Sequence, residues 1–247
     1  MDRFFVPSAW LETKHVTITG TLVHRLRNVL RLGPGDHVRL LDNSGWEHEV
    51  ELTDVSSQRI EGRVVHKSLA AGEPRTKITV YQALLKLNRF EWVLQKCTEL
   101  GVVGFVPVIT ERCIMGSLED ISNTKTERWW RILVEAAEQS GRGRLPTLRP
   151  ALLFPAACED AAKGGLTLIP WEEENERSLR SVLQAAERPP FSVNLLVGPE
   201  GGFTPEELAQ AQRYGATPVT LGPRILRAET AGLVAASAIL YELGDLG

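Results

Sequence analysis

The chain has 247 residues, enough for one large domain or two modest ones with a real core. Hydrophobic residues at 43% and charged residues at 24% are ordinary globular values, which excludes a disordered chain. A formal charge of −3 excludes bulk electrostatic capture of nucleic acid, so any such site must be a local basic patch.

Residues 1 to about 72 read mostly as strands. "GDHVRLLD", "GWEHEVELTD" and "QRIEGRVVHK" are short, rich in Val and Leu, and separated by turn residues such as the Asp-Asn-Ser-Gly at 42–45. One amphipathic helix is predicted at "TLVHRLRNVLR", where Leu22, Leu26, Val29 and Leu30 fall near helical spacing; "GPG" at 33–35 ends it. This part reads as a small β-barrel with one helix. It also holds all five histidines, so neither a Ser-His-Asp triad nor a histidine-rich metal site can be contained in the long remainder.

"AAGEPR" at 70–75 reads as a linker, which divides the chain into 1–72 and 73–247. After it strands and helices alternate. The strand "KITVYQALL" precedes helix "RFEWVLQKCTELG", strand "VVGFVPVI" and helix "TERWWRILVEAAEQSG". Strand "GLTLIP" is followed by a helix near "NERSLRSVLQAAE", with "EEENE" at 172–176 as its solvated acidic start. Strand "FSVNLLVG", helix "TPEELAQAQRYG", strand "ATPVTLG" and helix "ETAGLVAASAILYEL" complete the pattern. Such alternation indicates a parallel sheet covered by helices. Small residues in the last helix (Ala231, Gly232, Ala235, Ala236, Ala238) suit either a tight dimer interface or a close-packed core. Of the adjacent Trp129 and Trp130, one is expected in the core and one half-buried. Three widely spaced cysteines without C-x-x-C argue against a disulfide framework or a zinc site and fit a reducing cytoplasm. No apolar run approaches the ~20 residues of a membrane span.

The stretch "NLLVGPEGGFTPEELAQ" at 194–210 joins a strand, a glycine loop and a helix. Such loops often hold phosphate at the helix N-terminus. Here Thr204-Pro205-Glu206-Glu207 forms a capping box, no lysine is present, and Glu200 would repel a phosphate. The glycines therefore let the backbone approach something not strongly anionic. "LGPRILRAET" at 221–230 has the same strand-to-helix placement, and two such loops at adjacent strand ends indicate one shared pocket.

Together "LLVGPEGGFTPEE" and "LGPRILRAETAGLVA" resemble the two signature loops of the RsmE-type ribosomal RNA small-subunit methyltransferases, of the SPOUT class. "HRLRNVLRLGPGD", "QKCTELGV", "ERC" and "EQSGRGRLP" match in the same order. The resemblance implies a PUA-like N-terminal barrel, a SPOUT-type α/β domain tied in a trefoil knot, and a homodimer in the cytoplasm. It implies S-adenosyl-L-methionine as cofactor, with no metal, and methylation of N3 of one uridine in 16S rRNA of the small ribosomal subunit. A cofactor with a sulfonium, an ammonium and no phosphate suits a loop of close backbone and one carboxylate. By this resemblance Gly198, Pro199, Glu200, Gly201 and Gly202 run along its ribose and methionine part. Backbone groups of "LGPRIL", among them Leu221, Gly222, Ile225 and Leu226, hold its adenine, and the strand end "LIPW" (Leu168 to Trp171, with Pro170) forms a third wall. Two departures stand out: "LKLNRFEW" replaces a more usual Lys-Gly-Asp/Glu-Lys stretch, and Ala228 stands where threonine is common.

Two basic clusters, one per part, fit an RNA clamp: His24, Arg25, Arg27 and Arg31 on the first helix, and Arg142 and Arg144 in "SGRGRLP", with Arg112 and Arg89 extending the track. For the chemistry, Arg227 is expected to stabilise charge on uracil oxygens and Glu229 to take or relay the proton. A non-catalytic RNA-binding assembly factor on the same fold is the alternative; loss of "GPEGG" or "RAET" would favour it, and both are present.

Overall fold

The computed structural model describes residues 1–113 and 117–246. They form two compact units, Met1–Glu73 with Ala137–Leu145, and Pro74–Ala136 with Pro146–Gly247.

The first unit is built on five strands: β1 (Arg3–Phe5), β2 (His15–Ile18), β3 (His37–Leu41), β4 (Trp46–Val55) and β5 (Ile60–Leu69). Their order is β1-β3-β4-β5-β2, parallel only between β1 and β3. Alternate side chains face inward, so Val38, Leu40, Val50, Leu52 and Ile60 share one core with Phe4, Val16 and Ile18. Register shifts between β4 and β5, at Glu49/Val50 and Leu52/Asp54, increase the local twist and curl the sheet into a half-barrel.

The expected helix is shorter than its periodicity suggested. α1 (Thr21–His24) passes into a wider π-type turn over Arg25–Val29. Val23 and Leu26 are buried, whereas Val29 is 63% exposed, because the wider turn rotates it off the apolar stripe. Segment Ala137–Leu145, far along the chain, belongs to this unit because buried charges tie it down. Arg142 is only 2% exposed and pairs with Glu73 at 3.0 Å. Glu138 accepts the Phe5 N–H at 3.1 Å and Arg25 Nη1 at 2.8 Å.

The second unit is the predicted parallel α/β sheet. Its elements are β6 (Lys77–Ala83), α2 (Arg89–Leu100), β7 (Gly104–Ile109), α3 (Asn123–Ser140, whose residues from Ala137 on belong to the first unit), β8 (Thr147–Leu148), β9 (Leu152–Leu153) and α4 (Phe154–Ala161). There follow β10 (Leu166–Pro170), α5 (Leu179–Ala185), β11 (Ser192–Val197), α6 (Pro205–Arg213), β12 (Thr217–Val219) and α7 (Ala228–Glu242). The strand order is β12-β10-β11-β6-β7-β8, with β9 also pairing β7, and every pairing is parallel. β7 is buried at every position and β11 at all but its first, as covering on both faces requires. One core contains Phe90, Leu94, Leu183 and Ile239 from α2, α5 and α7; the other contains Phe154, Ala157, Leu208 and Ala211 from α4 and α6.

One sequence expectation changes here, one helix is new, and one open alternative finds support. "EEENE" starts no helix: Glu174 accepts the N–H groups of Glu176 and Arg177, which lower its pKa, and Ser178 caps α5 instead. α4 was not foreseen; its Asp160 accepts from Arg149 Nη1 at 2.6 Å and the Tyr81 hydroxyl at 2.7 Å. On α7, Gly232, Ala235 and Ala236 are buried within the chain, and a Cβ at Gly232 would lie 3.2 Å from Gln82 Oε1. That small-residue stripe serves the chain's own core. As expected, Trp129 is buried and Trp130 partly exposed. Burial pushes the Cys97 thiol up to about 12, as for an inert packing residue. Among the described residues no helix is long and apolar enough to cross a membrane.

Candidate functional site

Because β12 returns to the outer side of β10, the C-terminal ends of β12, β10 and β11 lie side by side. Their following loops, 171–178, 198–204 and 220–227, enclose a cavity of about 450 Å³, within the roughly 300–1,000 Å³ typical of small-molecule sites. Its position outside the strand ends is where open parallel sheets bind ligands.

Of the ten residues assigned from sequence to a cofactor, nine line this cavity: Pro170, Gly198, Pro199, Glu200, Gly202, Leu221, Gly222, Ile225 and Leu226. Gly201 does not; its missing side chain makes room for Arg112, whose Cβ would lie 3.3 Å from an added Cβ. Gly202 sits at φ +69 and Gly222 at φ +107, left-handed conformations that favour glycine. An added Cβ at Gly222 would meet nothing within 4 Å. In the same loop the N–H groups of Ile225 and Leu226 have no hydrogen-bond partner among the described residues. Thr204 and Glu207 form the predicted capping box, so the helix start offers its donors to its own cap. Glu207 Oε1 also accepts the Glu111 N–H at 2.8 Å, which ties the segment after β7 to the first turn of α6.

The charged groups are arranged differently from their order in sequence. No ion pair joins Arg227 and Glu229 among the described residues. Glu229 instead faces Arg89, with Oε1 3.7 Å from Nε, and its Oε2 is enclosed without a hydrogen-bond partner. Arg89 lines the cavity and Glu229 does not. Arg89 also donates to Glu200 Oε1 at 3.3 Å, and the Lys86 N–H donates to the same oxygen at 3.0 Å. One guanidinium thus serves two carboxylates, Glu200 from the glycine loop and Glu229 from the first turn of α7. Arg227 is exposed on the cavity wall. The turn before α2 places Leu87 at φ +54, where the more usual glycine of the resembled stretch would be unstrained.

The basic residues also separate. His24, Arg27 and Arg31 are exposed and without an ion-pair partner among the described residues, with Arg31 at φ +58. Arg25 is engaged, paired with Glu138 and 4.8 Å above the Phe4 ring. Arg142, expected in the RNA clamp, is instead buried against Glu73, so its charge is not offered to a polyanion at the surface. Arg144 is exposed, although its backbone N–H donates to Glu73 at 3.0 Å. Arg112 is not a free cation: it donates to the carbonyls of Gly201 at 2.7 Å and Phe203 at 3.4 Å, holding the glycine loop in place. The sequence reading missed Glu172 and Asn175 as cavity residues, because 172–176 was assigned to a helix, whereas Trp171, the end of the expected third wall, does line the cavity. No group of three or more metal-ligating side chains occurs among the described residues.

Two family models match the chain. The family described as "RNA methyltransferase domain" matches residues 72–240, and that described as "RNA methyltransferase PUA domain" matches 18–65. Ribosomal RNA small subunit methyltransferase E of Bacillus subtilis is 32% identical, over 98% of this chain and 97% of that protein. Its Synechocystis counterpart is 37% identical, over 91% and 72%. The crystal structure of ribosomal RNA small subunit methyltransferase E from Neisseria gonorrhoeae, bound to S-adenosyl methionine, is 33% identical with a TM-score of 0.84. It covers 98% of this chain and 97% of that one.

Proposed function

Since the chain belongs to the family of the ribosomal RNA small subunit methyltransferase E proteins, we propose that it methylates N3 of a uridine in 16S rRNA of the small ribosomal subunit, using S-adenosyl-L-methionine. The cytoplasmic location, the homodimer and the trefoil knot belong to the same reading. The observation that carries it is the cavity at three adjacent strand ends, with glycine backbone and one carboxylate on its walls.

The residues present fit that cofactor. Gly202 and Gly222 leave space that any side chain would occupy, and the unpartnered N–H groups of Ile225 and Leu226 are suited to a heterocycle's acceptors. Glu200 supplies negative charge on the wall, shared with Arg89. When bound, S-adenosyl-L-methionine supplies an electrophilic methyl group on a sulfonium.

The chain's task is to make uracil N3 nucleophilic. Its imide proton has tyrosine-like acidity, with a pKa of roughly 9–10, so at neutral pH the anion is about 1% or less of the total. Arg227 and Arg89, both on the cavity wall, are suited to stabilise the negative charge that grows on the uracil oxygens. Glu229 lies outside the cavity lining and faces Arg89, which supports a role in orienting Arg89 over one in taking the proton.

The test is methylation of small-subunit particles from a strain lacking the protein, with methyluridine mapped in the 16S rRNA. Purified protein should bind S-adenosyl-L-methionine by calorimetry and restore one modified uridine. Arg227→Ala should keep cofactor affinity and lose turnover. A protein that binds no S-adenosyl-L-methionine overturns the reading. Light scattering should give twice the 27.3 kDa chain mass.

A further inference from the structure

Between β6 and α2 the chain makes a tight turn over 86–89, closed by the Arg89 N–H donating to the Lys86 carbonyl at 3.3 Å. Its first central residue is Leu87, at φ +54 and 89% exposed. Both features cost free energy: a left-handed leucine is strained, and its isobutyl group gains nothing from burial. Such strain persists only where the surroundings impose it. Here Glu200 Oε1 accepts from the Lys86 N–H at 3.0 Å and from Arg89 Nη1 at 3.3 Å, gripping the turn on both sides of its tip. Since Glu200 and Arg89 both line the cavity, Leu87 is held outward at its rim.

The rim's chemistry selects the partner. Lys86, Arg224 and Arg227 are exposed cations there, and Ile225, 84% exposed, is a second apolar group on the wall. Cations around apolar tips complement a polyanion that carries apolar ring faces, which is a nucleic-acid strand. N3 lies on the pairing edge of uracil, hidden while the base is paired and stacked, so methylation requires the base to leave its stack. We propose that Leu87 is the wedge that displaces the target uridine, inserting its side chain beside that nucleotide while the base turns toward the cavity. The inference rests on the methyltransferase reading. It assigns a job to a residue that lines no cofactor surface and packs in no core.

Two variants test it: Leu87→Gly, which relieves the left-handed strain, and Leu87→Asn, which tolerates that conformation but is polar. Both should fold, with a melting temperature for Leu87→Gly at or above that of the native protein. Both should bind S-adenosyl-L-methionine with unchanged affinity. On a particle containing unmodified 16S rRNA, kcat/KM should fall about tenfold or more. An RNA hairpin with 2-aminopurine beside the target uridine should brighten on binding native protein and stay quenched with either variant. Native kcat/KM and native brightening in both variants would overturn the wedge alone. So would a loss of the dimer in light scattering, which would place Leu87 between copies of the chain. Native protein that binds no S-adenosyl-L-methionine would instead remove the functional reading beneath it.

Discussion

Replacing Gly202 by valine probes the cavity at the point where backbone and ligand must come closest. Gly202 has φ +69, and its N–H donates to the Pro199 carbonyl at 3.0 Å to close the loop. A β-branched residue in that conformation costs about 1–3 kcal/mol of stability. At roughly 2–4 °C per kcal/mol for a chain of this size, the melting temperature should fall by several degrees without loss of the fold. The larger effect is steric. An added Cβ would lie 3.4 Å from Glu172 Oε1, another cavity residue, so the two methyls of valine occupy ligand space. About a hundredfold weaker S-adenosyl-L-methionine binding, near 2.7 kcal/mol, is expected by calorimetry. Gly215→Val is the control: it has φ +85, open space around its Cβ and no part in the cavity. It should lose comparable stability and keep native cofactor affinity. Native affinity in Gly202→Val, or an equal loss in Gly215→Val, would refute the placement of the cofactor on this loop.

Three further outcomes follow from particular contacts. Arg27→Ala with Arg31→Ala should weaken binding to ribosomal RNA and reduce the salt slope by about 0.7–0.9 per lost phosphate contact, with cofactor affinity unchanged; an unaltered slope would make both plain surface residues. Asp160 is held at about 2 by the Arg149 guanidinium and then by the Tyr81 hydroxyl, below an unfolded value near 3.9. That stability is therefore complete above pH 4 and lost as pH falls from about 4 to 2. Asp160→Asn should remove about 1–2 kcal/mol at pH 7, after allowing for the half-exposed Arg149, and flatten the acid limb of urea melts. For Glu229→Gln, a positioning role predicts a modest single-turnover loss, about tenfold or less, that is constant with pH. A proton-accepting role predicts a large loss at pH 7 that recovers as the pH rises toward the uridine pKa, and that result would return Glu229 to the base assignment.

The periodicities that marked strands and helices were local, and so were readable. Continuous apolar runs such as "VVGFVPVI" give buried parallel strands, and Thr204 with Glu207 caps its helix within four residues of chain. The glycines of the two loops were legible for the same reason, since a left-handed backbone at Gly202 or Gly222 leaves its mark on that residue alone. α4 escaped notice because its short apolar face became distinctive only against Leu208 and Ala211 of α6.

Charge partners were not legible, because an arginine in a sequence does not disclose which distant carboxylate it meets. Arg25, Arg112 and Arg142 looked like surface cations, yet Glu138, the carbonyls of Gly201 and Phe203, and Glu73 engage them across 113, 89 and 69 positions of chain. Arg227 and Glu229 looked like a pair because they are neighbours in sequence. The N-terminal turn of α7 instead points Glu229 toward Arg89, while Arg227 stays exposed on the cavity wall. The sequence alone therefore determined which stretches fold into strands, loops and helices, because those preferences are set by near neighbours. Only the tertiary structure decided which charges are free and which are held, because electrostatic pairing acts through space and the order of strands in the sheet brings distant residues together.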